Sequence, residues 1–315
     1  MKKVGKLEAS SHGIRQGRLA LVLILGVASV AACVAAFTWW KASAASAQVV
    51  ASPDAVFVTR CNYSRTNSDD PIVHAGKHGA AHSHDFFANR STDHASTYES
   101  LRTYTGTTSA TRSGTTCVNA ADKSAYWIPT TSWKDKSGTR TLKPGRAHFY
   151  YRSGGKGDVQ PPPAELKVVP NTHVTWRCAQ ATSASSSPPA RCANGTLVVL
   201  IRFPDCVAED SNGQPLIDSE DHRSHMAYAV SQGDGTRQCP DTHPNPVATL
   251  TMEVKFRVPT TTGTVTLSSG TASTMHAEFF NAWDQDELTA LVDDCINAYP
   301  FSPENPKPAK CEQRG

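Results

Sequence analysis

Apolar and polar positions fall into three regimes along the chain. The first is an unbroken apolar run, Leu19 to Trp40 (LALVLILGVASVAACVAAFTWW), 22 residues without a charge. About 20 apolar residues suffice to cross a bilayer. Lys2, Lys3, Lys6, Arg15 and Arg18 precede the run, and basic residues stay on the cytoplasmic side. The chain therefore begins with a cytoplasmic basic segment (1–18) and a transmembrane anchor or signal-peptide core (19–40). KASAASA, from Lys41 to Ala47, offers A-x-A cleavage positions after Ala44 or Ala47. VAAC, ending at Cys33, resembles a lipobox, but the apolar run continues past it. An Ala/Ser-rich linker (41–54) follows.

The second regime is short runs rich in β-branched and aromatic residues, separated by Gly, Pro, Asn and Ser. These predict strands at VFVTRC (56–61), AYWIP (125–129), AHFYYR (147–152), HVTWRC (173–178), TLVVLIRF (196–203), HMAYAV (225–230), ATLTMEVKFRV (248–258), TVTLS (264–268) and MHAEFF (275–280). The third regime is helical and brief. DQDELTALVDDCINA starts with Asp284 as N-cap and Glu287 three residues on, a capping-box spacing. Leu288, Leu291, Val292 and Cys295 then share a face. STYESLR repeats the spacing with Ser96 and Glu99. The pattern predicts an all-β domain with a few short helices, a single β-sandwich or jelly-roll-like unit. It would span 55–298, with a Pro-rich tail at 299–315; SASSSPPA reads as a loop tip, not a linker.

Composition adds compartment. Charged residues are 19% and hydrophobic residues 39% of the chain, a globular balance. Residues 1–44 hold six Lys/Arg and one Glu, a balance of +5; the chain's +3 then leaves −2 for the remainder. The exported part has no overall basic field, which argues against nucleic acid as a partner. Eight of nine cysteines lie outside the apolar run: Cys61, Cys117, Cys178, Cys192, Cys206, Cys239, Cys295 and Cys311. An even set in an exported chain predicts four disulfides and an extracellular or cell-surface location. No pair has C-x-x-C spacing, so thiolate metal binding is disfavoured. Sequence leaves about a hundred pairings open. Two are expected: Cys178–Cys192, across a Ser/Pro tip, and Cys295–Cys311, across the tail.

Histidine carries the candidate chemistry. If 81–87 is extended, His82 and His84 leave one face and Asp85 the other. On the run near 278, His276, Glu278 and Phe280 share a face. DSEDHRSHMAYAV adds His222 and His225 after Asp218, Glu220 and Asp221, and His243 sits among prolines. Three uses compete. His82, His84, His225 and His276 can hold a divalent metal, zinc or copper by ligand type. A histidine paired with Asp85, Asp221, Glu278 or Asp284 can act as an acid/base site. The bland reading is histidines hydrogen-bonded to loops and nearby acids. The expected catalytic set is His82, His84, Asp85, His225, His276 and Glu278. Trp133 and Trp283 lie beside turns and acids, so with Asp284 they are the expected substrate contacts; Trp176 belongs to a core strand. GRAHFYYRSGGKGD lacks a P-loop pattern, and no G-x-S-x-G elbow occurs. Asn62 and Asn89 start N-x-[ST] sequons.

DPIVHAGKHGAAHSHDFFAN, SAYWIP, FPDC, DSEDHRSHMAY, CPDTHP and MHAEFFNAWD together resemble the family called domain of unknown function nineteen ninety-six, exported proteins of actinobacteria and fungi. The resemblance covers roughly residues 57–298. Members usually have glycine where this chain has Ala88, and often Asp and Gly where it has Glu278 and Ala282. The resemblance implies no established activity. Carbohydrate-binding modules beside fungal members imply polysaccharide or cell-wall material as partner. The expected function is to bind or cleave polysaccharide through a His/acid cleft, as a hydrolase or lyase. A non-catalytic adhesion module and a metal-binding protein are the alternatives, with the membrane as a further partner if 19–40 is uncleaved.

Overall fold

The computed structural model describes residues 55–108, 111, 113–170 and 172–312. The basic segment, the apolar run and the linker lie outside them. No helix among the described residues is long and apolar enough to cross a membrane.

In chain order the strands are β1 (Val56–Asn67), β2 (His84–Ala88), β3 (Ala125–Pro129), β4 (Thr131–Asp135), β5 (Gly138–Thr141), β6 (Pro144–Arg152), β7 (Lys167–Val168), β8 (Val174–Cys178) and β9 (Thr196–Arg202). Five two-residue strands follow: β10 (Cys206–Val207), β11 (Met226–Ala227), β12 (Val230–Ser231), β13 (Arg237–Gln238) and β14 (Asn245–Pro246). The last are β15 (Thr249–Arg257), β16 (Thr264–Leu267), β17 (Gly270–Thr271) and β18 (Glu278–Phe280). Helix α1 spans Tyr98–Thr103 and α2 spans Gln285–Val292, continuing as a π-helical turn to Asn297.

Nine strands form one antiparallel sheet in the order β7-β18-β3-β2-β1-β6-β15-β9-β8, and β17-β16-β4-β5 form a second. The expected class, mainly β with few short helices and disulfide staples, is the one found. β6 and β15 show why. Ala147, Phe149 and Tyr151 alternate with His148, Tyr150 and Arg152, and Leu250, Met252, Val254 and Phe256 are buried on β15. That period of two puts one face of each strand into a core. The main core joins these residues to Trp133 and Val265 of the smaller sheet and to Leu288, Leu291 and Val292 of α2. β2, β3 and β18 are buried at every position because both their faces are covered. Phe87, Tyr126 and Phe279 enter the main core; Phe86, Trp127 and Phe280 enter a second one with Ile72, Leu101 and Val169.

Three details differ from expectation. HMAYAV is not one strand. Ala229 N–H turns to Asp205 Oδ1 (2.9 Å) and the Tyr228 hydroxyl donates to Arg202 O (3.0 Å), which breaks the run into β11 and β12. α1 is capped by Thr97 with Ser100, not by Ser96 with Glu99, because Ser96 Oγ is spent closing a turn on Asp93. β4 and β5 carry too few apolar residues to announce themselves; β5 is exposed throughout.

Among the described residues the eight cysteines pair as Cys61–Cys117, Cys178–Cys192, Cys206–Cys239 and Cys295–Cys311. The second and fourth are the two pairs expected. The fourth ties the tail to the end of α2, and Glu312 bridges to Val58.

Candidate metal centre

β3 separates β2 from β18 and sets their register. Phe86 and Glu278 both lie opposite Trp127, and His84 lies opposite Pro129. His84 and Glu278 therefore rise from the same sheet face on either side of β3. His82 and His276 lie two residues before them, on the same side. The segment after β1 brings Asp69 and Asp70 over this face.

The rings of His82 and His84 are 4.2 Å apart, those of His82 and His276 5.2 Å, and those of His84 and His276 5.9 Å. Glu278 Oε1 is 3.4 Å from His276 Nε2 and 3.9 Å from His84 Nε2. Asp70 places a carboxylate oxygen within 4.8 Å of the His84 and Glu278 donor atoms. His84, Asp70 and Glu278 are buried, His82 is half-buried and the His276 side chain is 14% exposed. The cluster is thus closed below and open past two imidazoles.

Hydrogen bonds aim these rings. His84 Nδ1 faces Asp69 O at 3.2 Å, and His276 Nδ1 faces Thr274 O at 2.8 Å. A carbonyl behind Nδ1 takes the N–H and leaves Nε2 with its lone pair inward, the form a metal requires. Among the described residues, His82 Nε2, His84 Nε2 and Glu278 Oε2 are buried with no hydrogen-bond partner. Such groups cost about 1–3 kcal/mol each, and as a set they have the donor chemistry of a metal ligand cluster. With metal–ligand bonds of about 2.0–2.2 Å, neighbouring tetrahedral ligands lie about 3.3–3.6 Å apart. The Glu278–His276 separation matches that edge and Glu278–His84 is slightly longer.

The electrostatics agree. Burial first, then the neighbouring His82 and His276, push the His84 pKa down to about 2, so it stays neutral. Burial and His276 lower His82 as well. Burial and the Asp70 charge raise Glu278 to about 8, against the pull of His276. Burial also disfavours a charged His276, but Glu278 and Thr274 O outweigh it and its pKa rises. A divalent cation would displace the proton that burial favours on Glu278. Behind the cluster, Phe86 meets His84 edge-on at 6.1 Å and stacks on Trp127 at 5.6 Å, giving the site a dry floor.

The remaining expected residues lie elsewhere. His225 is buried, with Ser219 Oγ on Nδ1 (2.8 Å) and Lys167 O on Nε2 (2.7 Å); both nitrogens are taken, so it does not join the other three histidines. Asp85 projects from the opposite face of β2, accepting from Thr66 Oγ1 at 2.6 Å, and burial raises it to about 6. Trp133 and Trp283 are fully buried in the main core, which corrects the expectation that they are exposed for stacking. Trp283 Nε1 instead donates to the Tyr126 and Tyr151 hydroxyls. Asp284 caps α2 through Glu287 N–H and pairs with Arg102 at 3.0 Å. Asp70 was not expected. Its only sequence signal is the DDP turn that precedes histidines at 74, 78 and 82.

Neither a curated protein nor a solved structure matches the chain. The model of the family described as Domain of unknown function (DUF1996) matches residues 70–283, more than half of the chain, and the chain belongs to that family.

Proposed function

We propose that this is an exported protein that binds a divalent cation, zinc or copper, through His82, His84 and His276 with Glu278 and Asp70. The observation that carries the reading is that two donor sets, His82/His84/His276 and Asp70/His84/Glu278, share His84, with His82 Nε2, His84 Nε2 and Glu278 Oε2 buried and without a hydrogen-bond partner among the described residues. Burying an uncompensated carboxylate costs several kcal/mol. With the Glu278 proton displaced, Asp70 and Glu278 would bring two negative charges, which one divalent ion neutralises. Imidazole-rich ligation favours zinc or copper over magnesium or calcium. Four disulfides fit an extracellular setting, with segment 19–40 as the export signal or anchor.

The test is calorimetric titration of the metal-stripped full chain, purified without a metal-affinity tag. His276→Ala should weaken the tightest zinc or copper event by at least about 100-fold, since loss even of a supporting contact costs 10- to 100-fold. An isotherm identical to that of the unchanged protein would overturn the reading.

Glu278 favours a second reading, polysaccharide cleavage at the same place. A carboxyl raised to about 8 is protonated at neutral pH and can serve as a general acid. Turnover of a polysaccharide panel that survives chelation and is lost in Glu278→Gln would favour it. Absence of product with and without added ion would remove it.

A further inference from the structure

A second His/acid constellation lies outside the centre just described. Asp69 is 1% exposed, yet its Oδ1 faces His78 Nδ1 at 3.2 Å and His94 Nδ1 at 3.6 Å. The two rings are 5.0 Å apart and turn the same nitrogen toward one oxygen. An exposed ion pair would explain one such contact, worth little in water. It does not explain two. Asp69 does not need them, because Gly79 N–H already donates to Oδ1 (2.9 Å) and Asn67 Nδ2 to Oδ2 (2.7 Å). Three N–H groups on Oδ1 would crowd it, and His94 Nδ1 makes no hydrogen bond among the described residues although that atom is buried.

We propose that Asp69, His78 and His94 form a second divalent-cation site, open to solvent. Distances of 3.2 and 3.6 Å lie at the two ends of the roughly 3.3–3.6 Å ligand-to-ligand edge of a tetrahedral ion. Each Nδ1 then presents a lone pair, and Asp69 Oδ1 keeps one for the ion beside its bond from Gly79. The frame is rigid: Gly79 and Asn67 hold the carboxylate, and Gly76 N–H donates to His94 O (2.7 Å), fixing the 70s loop against His94. The His78 side chain is 75% exposed, so water completes the shell and the ion exchanges readily. Two imidazoles with one carboxylate select zinc, copper or nickel over magnesium. Asp69 reaches both places, with its carboxylate here and its carbonyl behind His84, but the second ligand set is complete without any residue of the first.

The stripped full chain is dialysed against zinc chloride and its bound zinc counted, with circular dichroism confirming the fold. The unchanged protein should hold two equivalents. His78→Ala/His94→Ala should hold one, and His78→Ala alone, at an exposed position, should weaken the second event at least 10-fold. His82→Ala/His276→Ala should keep the site at Asp69. Two equivalents at unchanged affinity in both His78 variants would overturn the proposal. Loss of one equivalent in the His78/His94 variant alone, with none lost in His82→Ala/His276→Ala, would sustain it and defeat the first centre.

Discussion

Hydrogen bonds made by the nitrogen that faces away decide what an imidazole can do. His84 and His276 each spend Nδ1 on a backbone carbonyl and aim Nε2 at Glu278, whereas His225 spends both nitrogens and has nothing left to offer. Trp283 is the same lesson in the core. Its N–H serves two tyrosine hydroxyls, and Tyr126 in turn donates to the buried Asp122 at 3.2 Å. Trp283→Phe keeps most of the apolar bulk but takes a donor from those hydroxyls, which still bond each other at 2.9 Å. It should cost about 0.5–1.5 kcal/mol, read as a lower urea midpoint; an unchanged midpoint would show the bond to be dispensable. Single residues were partly legible. Period two placed His82 with His84, and His276 with Glu278, on common faces. It could not bring the pairs together, because that depends on β3 lying between β2 and β18. Ala88 was legible as an irregularity only. It adopts φ 65°, a left-handed conformation that costs a residue with a Cβ roughly 1–2 kcal/mol and that glycine adopts freely.

Among the elements, strands with alternating burial were readable and those without it were not. β3, β6, β9 and β15 fall where pattern put them, within a few residues. β5 has no buried position and β7, β10 and β11 have two residues each, too few for a period. α2 was readable from both its apolar face and its cap. Asp284→Ala removes the bond to Glu287 N–H and the Arg102 pair and should cost about 1 kcal/mol, measured by thermal or urea unfolding. A loss below a few tenths would mean that packing of Leu288, Leu291 and Val292 alone holds the helix. The Cys178–Cys192 bridge closes a loop with a sequence separation of 14. Replacing both cysteines by alanine should lower stability by about 3 kcal/mol. Retention of full stability would place the hairpin's order in its backbone pairing, where Trp176 exchanges hydrogen bonds with Ser185.

Over the whole molecule, stability has an acid limit set by two buried carboxylates. Burial opposes the charge of Asp205, but Lys156 and Arg202, each at 2.8 Å, hold its pKa down to about 2. Burial lowers Lys156 at the same time; with two cations on one carboxylate, the ionised acid is the state that persists. Glu253 is likewise held at about 2 by His148, Lys255 and Arg177, against burial. Both folded values lie below the unfolded ones, so their stabilisation is complete above about pH 5 and drains away as pH falls toward 2. Asp205 alone accounts for on the order of 2 kcal/mol. The change in urea midpoint between pH 5 and pH 2.5 should therefore be more favourable in Glu253→Gln than in the unchanged protein, because the variant lacks that loss; an identical change in the two would refute this. At this scale the class and the disulfide complement were open to sequence reasoning, because composition and cysteine parity are global counts. The strand order was not, since each neighbour is chosen by long-range contacts that leave no local trace.

The clustered side chains come from distant parts of the chain, His82 and His84 after β1, His276 just before β18 and Glu278 on it. An ion held as proposed would therefore meet a complete cage only after almost everything between the two halves has found its place, so its capture would report the folding of nearly the whole domain.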